Sequence, residues 1–102
     1  MNQDVLPDLK RLPLSSILDA LSDPIRLKIV KMLLEKGEVA CGEFGIDMAK
    51  STLSHHFKVL RDAGIIQKRE EGTKKFNSLC KEELEARCPG LIDSLFKVKA
   101  PL

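Results

Sequence analysis

The tightest constraint on this chain is a pair of backbone signals that bracket one segment, Asp23-Pro24 at its start and Gly37 at its end. An aspartate accepts hydrogen bonds from the free N–H groups of a first helical turn. Proline, with fixed φ and no N–H, suits the first helical position, and glycine tolerates the left-handed backbone that ends a helix. Between the two signals Ile25, Ile29, Met32 and Leu33 recur at helical spacing. The bracket predicts an amphipathic helix whose apolar stripe other elements must cover.

Those elements are legible on both sides. After Pro13, the positions Leu14, Ile17, Leu18 and Leu21 form the stripe of a short first helix. Residues 1–13 read as an arm, 14–98 as one folded domain and 99–102 as a tail. Beyond Gly37, Glu38–Ala40 reads as a short extended segment, and Glu43–Met48 as a short third helix weakened by Gly42 and Gly45. The stretch AKSTLSHHFKVLRDAG puts Leu53, Phe57 and Leu60 on one face and polar residues on the other, with Gly64 as its stop. This helix begins near Lys50, and because Ala49 stands at its start, Asp47 or the backbone must cap it.

Ile65 to Leu79 then reads as two strands around a turn at Gly72. Lys81–Arg87 is helical in composition, Pro89-Gly90 breaks it, and Leu91, Ile92, Leu95, Phe96 and Val98 mark a last apolar helix. The fold class that results is mainly α with a small β-hairpin wing. With four Phe and neither Tyr nor Trp, its core must be aliphatic. A chain of 102 residues buries a modest share of its surface, so an apolar stripe at each end calls for a partner subunit as well as for each other.

Charge narrows the function. The net charge of +2 is too small for bulk attraction to nucleic acid, but it is unevenly spread. Between Ala49 and Lys75 lie seven basic residues (Lys50, Lys58, Arg61, Lys68, Arg69, Lys74, Lys75) against three acidic ones (Asp62, Glu70, Glu71), so the remainder of the chain is net acidic. No apolar run approaches the roughly 20 residues of a membrane span. Three Cys without paired spacing, and no signal-like segment, point to reducing cytoplasm. There is no nucleophile elbow, phosphate-binding glycine loop or zinc-protease motif, and Ser54 and His55 diverge as helical neighbours. An enzyme is not expected, nor a cofactor.

Helix, turn, polar-faced helix and basic hairpin, in that order, are what a winged helix-turn-helix requires, with the second helix lying in the DNA major groove. Ser51, Thr52 and Ser54 offer hydroxyls to base edges and phosphates. His55 and His56 can contact either, and Lys50 and Lys58 supply phosphate charge or a guanine contact. On the wing, Arg69, Thr73, Lys74 and Lys75 are placed to reach a neighbouring backbone. The rival reading is a protein-interaction module that uses its apolar terminal helices without reading DNA.

The phrases ALSDPIRLKIVKML, STLSHHFKVLRDAGII and EGTKKFNSL resemble the ArsR/SmtB family of metal- and ligand-responsive bacterial repressors, over about four fifths of the chain from Leu14 to Leu95. The resemblance implies a homodimer joined through first and last helices. It also implies binding to a palindromic double-stranded operator, repression until an inducer releases it, and Lys50, Ser51, Ser54 and His55 as base readers supported by Thr52, His56 and Lys58.

The family's usual sensing sites do not carry over. Arsenic sensors are similar in a Cys-Val-Cys phrase at the third helix, where soft arsenic takes thiolates. Here the stretch reads EVACGEF, with Ala40 and Gly42 in the two cysteine positions and Cys41 between them. Zinc and nickel sensors use Asp and His on the last helix, whereas His55 and His56 are the only histidines here. Two readings stay open for Cys41, Cys80 and Cys88: ordinary packing residues, or a thiol sensor that forms within the chain or across the dimer.

Overall fold

The structure is a computed structural model that describes residues 12–102, so nearly all of the 1–13 arm lies outside the described residues. Helix α1 (Leu14–Ala20) starts directly after the extended Pro13. Helix α2 (Pro24–Lys36) is capped as its sequence predicts: the Asp23 carboxylate accepts from the N–H groups of Ile25 at 2.9 Å and Arg26 at 3.0 Å. At its far end the Gly37 N–H donates to the Leu33 carbonyl at 2.8 Å.

Strand β1 (Glu38–Ala40) follows, then a single 3-10 turn over Cys41–Glu43. The helix expected over Glu43–Met48 does not form. Gly45 sits at φ +66°, outside the right-handed helical region, and the buried Phe44 fixes the turn to the core. The chain crosses irregularly to helix α3 (Lys50–Asp62). Among the described residues no side chain caps α3, so of the two expected solutions the backbone, not Asp47, begins it.

The exit from α3 is tightly specified. The Gly64 N–H donates to the Arg61 carbonyl at 2.9 Å, and the Ile65 N–H reaches back to the Leu60 carbonyl at 3.0 Å. This is the paired Schellman closure, and it needs the left-handed residue that Gly64 provides at φ +72°. Leu60 and Ile65 are both fully buried, so the apolar contact that goes with such a closure also turns the chain into the sheet.

Strands β2 (Ile66–Glu71) and β3 (Lys74–Leu79) form the hairpin around Gly72-Thr73. β1 adds to the other edge of β3, giving an antiparallel sheet in the order β1-β3-β2, with Asn77 opposite both Val39 and Lys68. Helices α4 (Lys81–Arg87) and α5 (Leu91–Leu95) close the chain. The last helix is shorter than its apolar pattern suggested: it ends at Leu95, and Val98 lies beyond it, exposed.

The core joins Ile17 of α1, Ile29, Val30 and Leu33 of α2, Phe57 and Leu60 of α3, Ile65 and Ile66 at the start of the hairpin, and Leu84 and Ile92 of the last two helices. Each such aliphatic side chain, fully buried, contributes about 1.5–3 kcal/mol over leaving it in water. The stripe of α1 divides. Ile17 and Leu21 face inward, but Leu14 and Leu18 remain 54% and 45% exposed, alongside Val98 and Leu102 at 61% and 44%. Among the described residues no helix is long and apolar enough to cross a membrane. Three-helix packing with a twisted hairpin at its side is a winged helix-turn-helix fold.

Candidate nucleic-acid interface

Helix α3 packs through its carboxyl-terminal half, where Phe57 and Leu60 are buried and Phe57 meets Phe44 with ring centroids 5.0 Å apart. In its amino-terminal half only Leu53, half-buried, packs on the core, and the polar side chains around it stand clear. Lys50, Ser51, Thr52, Ser54 and His55 are all exposed, and none of these side chains has a hydrogen-bond partner among the described residues. Lys58, two turns along, is exposed and paired with Asp62 at 2.7 Å, an i,i+4 contact that solvent screens. Helix α3 thus presents uncommitted donors and acceptors from Lys50 to His55, then a partly neutralised cation.

His56 departs from the expected row. Its side chain is 12% exposed, and its Nδ1 lies 3.1 Å from Arg26 Nη1 and 3.7 Å from Asp23 Oδ2. A guanidinium can only donate, so in its contact with Arg26 the ring accepts at Nδ1. The Asp23 carboxyl is shifted below its ordinary value. Partial burial pushes it up, but the Arg26 N–H, the neighbouring His56 and Arg26 side chains and the Ile25 N–H together outweigh that. The two histidine rings stand 6.1 Å apart with planes 53° different, consistent with neighbours on a helix that point about 100° apart.

The wing departs as well. Arg69, expected to reach DNA, is folded along the sheet. Its Nη2 and Nε donate to Glu38 at 2.6 and 3.1 Å, its Nη1 donates to Glu71 at 2.8 Å, and its guanidinium lies 4.7 Å above the Phe76 ring. The hydrogen bond from Arg69 holds the Glu38 carboxyl below its usual range, and the two carboxylates raise the arginine further above its own. Lys68 pairs with Glu70 at 3.4 Å. Thr73, Lys74 and Lys75 remain exposed, without side-chain partners among the described residues.

Under the hairpin, Asn77 is fully buried in β3. Its Nδ2 donates to Cys41 Sγ at 3.0 Å and its Oδ1 has no protein partner. Cys80 is buried at the end of the hairpin, and desolvation pushes its thiol up to about 11. Cys88 packs half-buried on the core. Among the described residues no three of His, Cys, Asp and Glu converge as a metal site, so the three cysteines do not form one thiolate cluster within this chain. Arg26, Glu38 and Asn77 were not singled out in the sequence. Their partners lie 30 to 36 positions away, where no local spacing connects them.

A family profile described as "Bacterial regulatory protein, arsR family" matches residues 23–68, from the α2 cap into β2. An HTH-type transcriptional regulator of Bacillus subtilis strain 168, YceK, is 38% identical over 79% of this chain and 84% of its own length. The chain belongs to the arsR family. The arsenical resistance operon repressor of Staphylococcus xylosus is 37% identical over 71% of this chain and 70% of its own. The crystal structure of the transcriptional repressor BigR from Xylella fastidiosa superposes with a TM-score of 0.69 at 32% identity, covering 87% of this chain and 88% of that one. This arsR-family chain is accordingly a DNA-binding transcriptional repressor with a winged helix-turn-helix, in a family of regulators rather than enzymes.

Proposed function

We propose that this arsR-family chain acts in the cytoplasm as a homodimer that reads a palindromic operator, with α3 of each subunit in successive major grooves. The observation that carries the reading is the exposed row Lys50, Ser51, Thr52, Ser54 and His55, whose polar groups have no partner among the described residues. Such a row, free to exchange its water for other partners, suits base edges and phosphates. The exposed leucines of α1 and the exposed Val98 and Leu102 beyond α5 support pairing through the first and last helices. A two-fold dimer matches two half-sites about one helical turn apart.

The test is enrichment of the purified full chain's ligands from a pool of random-sequence duplexes. The expected product is an inverted repeat whose affinity falls as salt rises, since phosphate contacts release counterions. Recovery of no duplex, or binding indifferent to salt, would instead favour a protein-interaction module.

Release by an inducer belongs to the same reading. Of the three cysteines, Cys41 is the one suited to thiol chemistry: like Cys88 it is half-buried rather than sealed, and among the described residues it is the one whose sulfur meets a side-chain donor, the Asn77 amide. Cys80, with its raised thiol, is suited to packing. A thiol-alkylating probe is expected to release DNA from wild type and not from Cys41→Ser; equal release removes Cys41 from sensing.

A further inference from the structure

The buried side chains of α3, Phe57 and Leu60, lie in its second half, whereas the residues proposed to read DNA lie in its first, which begins after Ala49 without a side-chain cap and meets the core through the half-buried Leu53. One half-buried leucine leaves room for a polar contact to help fix the direction in which that amino-terminal half points. Among the described residues, one side-chain hydrogen bond joins α3 to another element, and it runs from Arg26 of α2 to His56. The same guanidinium reaches the carboxyl end of α1: Arg26 Nε donates to the Ala20 carbonyl at 2.7 Å and Nη2 to the Asp19 carbonyl at 3.4 Å. A cation is favoured there, because the last carbonyls of a helix lack intrahelical partners and carry its negative dipole end.

We propose that Arg26 is a positioning residue for DNA reading, tying the end of α1 to the recognition helix through His56. The inference rests on the DNA-reading role of α3 proposed above and adds what sets the angle of that helix. Arg26 holds α1, which bears the exposed Leu14 and Leu18, and α3, which bears the readers. A shift of α1 against a second subunit is therefore passed to α3 through one planar, rigid fork. Lysine cannot replace it, since a single ammonium cannot meet the Ala20 carbonyl and the His56 nitrogen with fixed geometry. On the other side, the requirement is an acceptor at the place of Nδ1. Asparagine supplies one there and leucine does not.

The test measures two affinities for the full chain: one for the duplex enriched from the random pool, one for a scrambled duplex of equal length and composition. Arg26→Lys and His56→Leu are expected to lower the ratio of the two by about tenfold. Affinity for the scrambled duplex stays unchanged. His56→Asn is expected to return most of the ratio, and Arg26→Lys combined with His56→Leu to be no worse than either alone, because both break one link. Thermal melting and light scattering accompany each variant; should Arg26→Lys fail to fold, the His56→Leu and His56→Asn pair decides. An unchanged ratio in folded variants, or an equal loss on both duplexes, overturns the coupling while leaving DNA reading intact. Failure of wild type to enrich any duplex overturns both.

Discussion

The recognition helix and the wing carry similar shares of basic residues in the sequence, yet they differ in how much of that charge is available. From Lys50 to His55 the polar side chains at the start of α3 are exposed and, among the described residues, uncommitted. In the hairpin, Arg69 is taken up by Glu38 and Glu71, and Lys68 by Glu70, which leaves Lys74 and Lys75 near the turn. A region with its donors free can discriminate between bases. A region that spends its charges on itself holds its shape and offers a point or two of attraction. Counting basic residues does not separate the two; only their pairing does.

The largest test of this contrast removes the readers. Ser54→Ala with His55→Ala is expected to weaken binding to the enriched duplex by on the order of 3 kcal/mol, about a hundredfold, with dimer and melting temperature unchanged. Fluorescence anisotropy measures it, and survival of full affinity would show that α3 is not the reader. Lys74→Ala with Lys75→Ala should act more weakly and without regard to sequence. The slope of log affinity against log salt is expected to become shallower by about two, with a loss of roughly tenfold at moderate salt. A sequence-selective loss instead would move the wing into the reading surface.

A smaller effect is expected beneath α3. Asp23→Ala removes the cap of α2 and should cost about 1 kcal/mol of stability at neutral pH. The Asp23 carboxyl is held below its ordinary 3.8, so its contribution is fully present above that value and is lost as pH falls through the lower folded one. The gap between wild type and variant in urea unfolding should therefore close in acid. Arg69→Ala is expected to change least. Solvent screens this surface network, so affinity and salt slope stay near wild type, while the Glu38 carboxyl, followed by NMR, returns upward to its ordinary range. A large loss of DNA binding in that variant would mean that Arg69 leaves its partners to meet phosphate.

Much of the fold was legible because its signals are local. The Asp23 cap, the Gly37 and Gly64 stops and the hairpin around Gly72 each depend on residues within about five positions. The segment Glu43–Met48 misled for the converse reason: Phe44 is buried in a core assembled from distant elements, and Gly45 takes a left-handed backbone that no helix continues. At the interface, the exposed row from Lys50 to His55 followed from helical periodicity, but the inward turn of His56 did not, since Arg26 stands 30 residues before it.

By itself, then, the amino-acid order determined most of the helices and the hairpin, though not the fate of Glu43–Met48 or the end of the last helix, and with them which faces are apolar and where the polar face of α3 begins. Caps, stops and periodicity act over a few residues and survive in any compact arrangement. The tertiary structure alone decided which polar groups stay free: Arg69 engaged by Glu38, His56 by Arg26, and Cys41 by Asn77 across 36 positions. Such bonds require two distant segments to meet within about 3 Å at a suitable angle, a condition that packing of the whole chain sets and no single segment encodes.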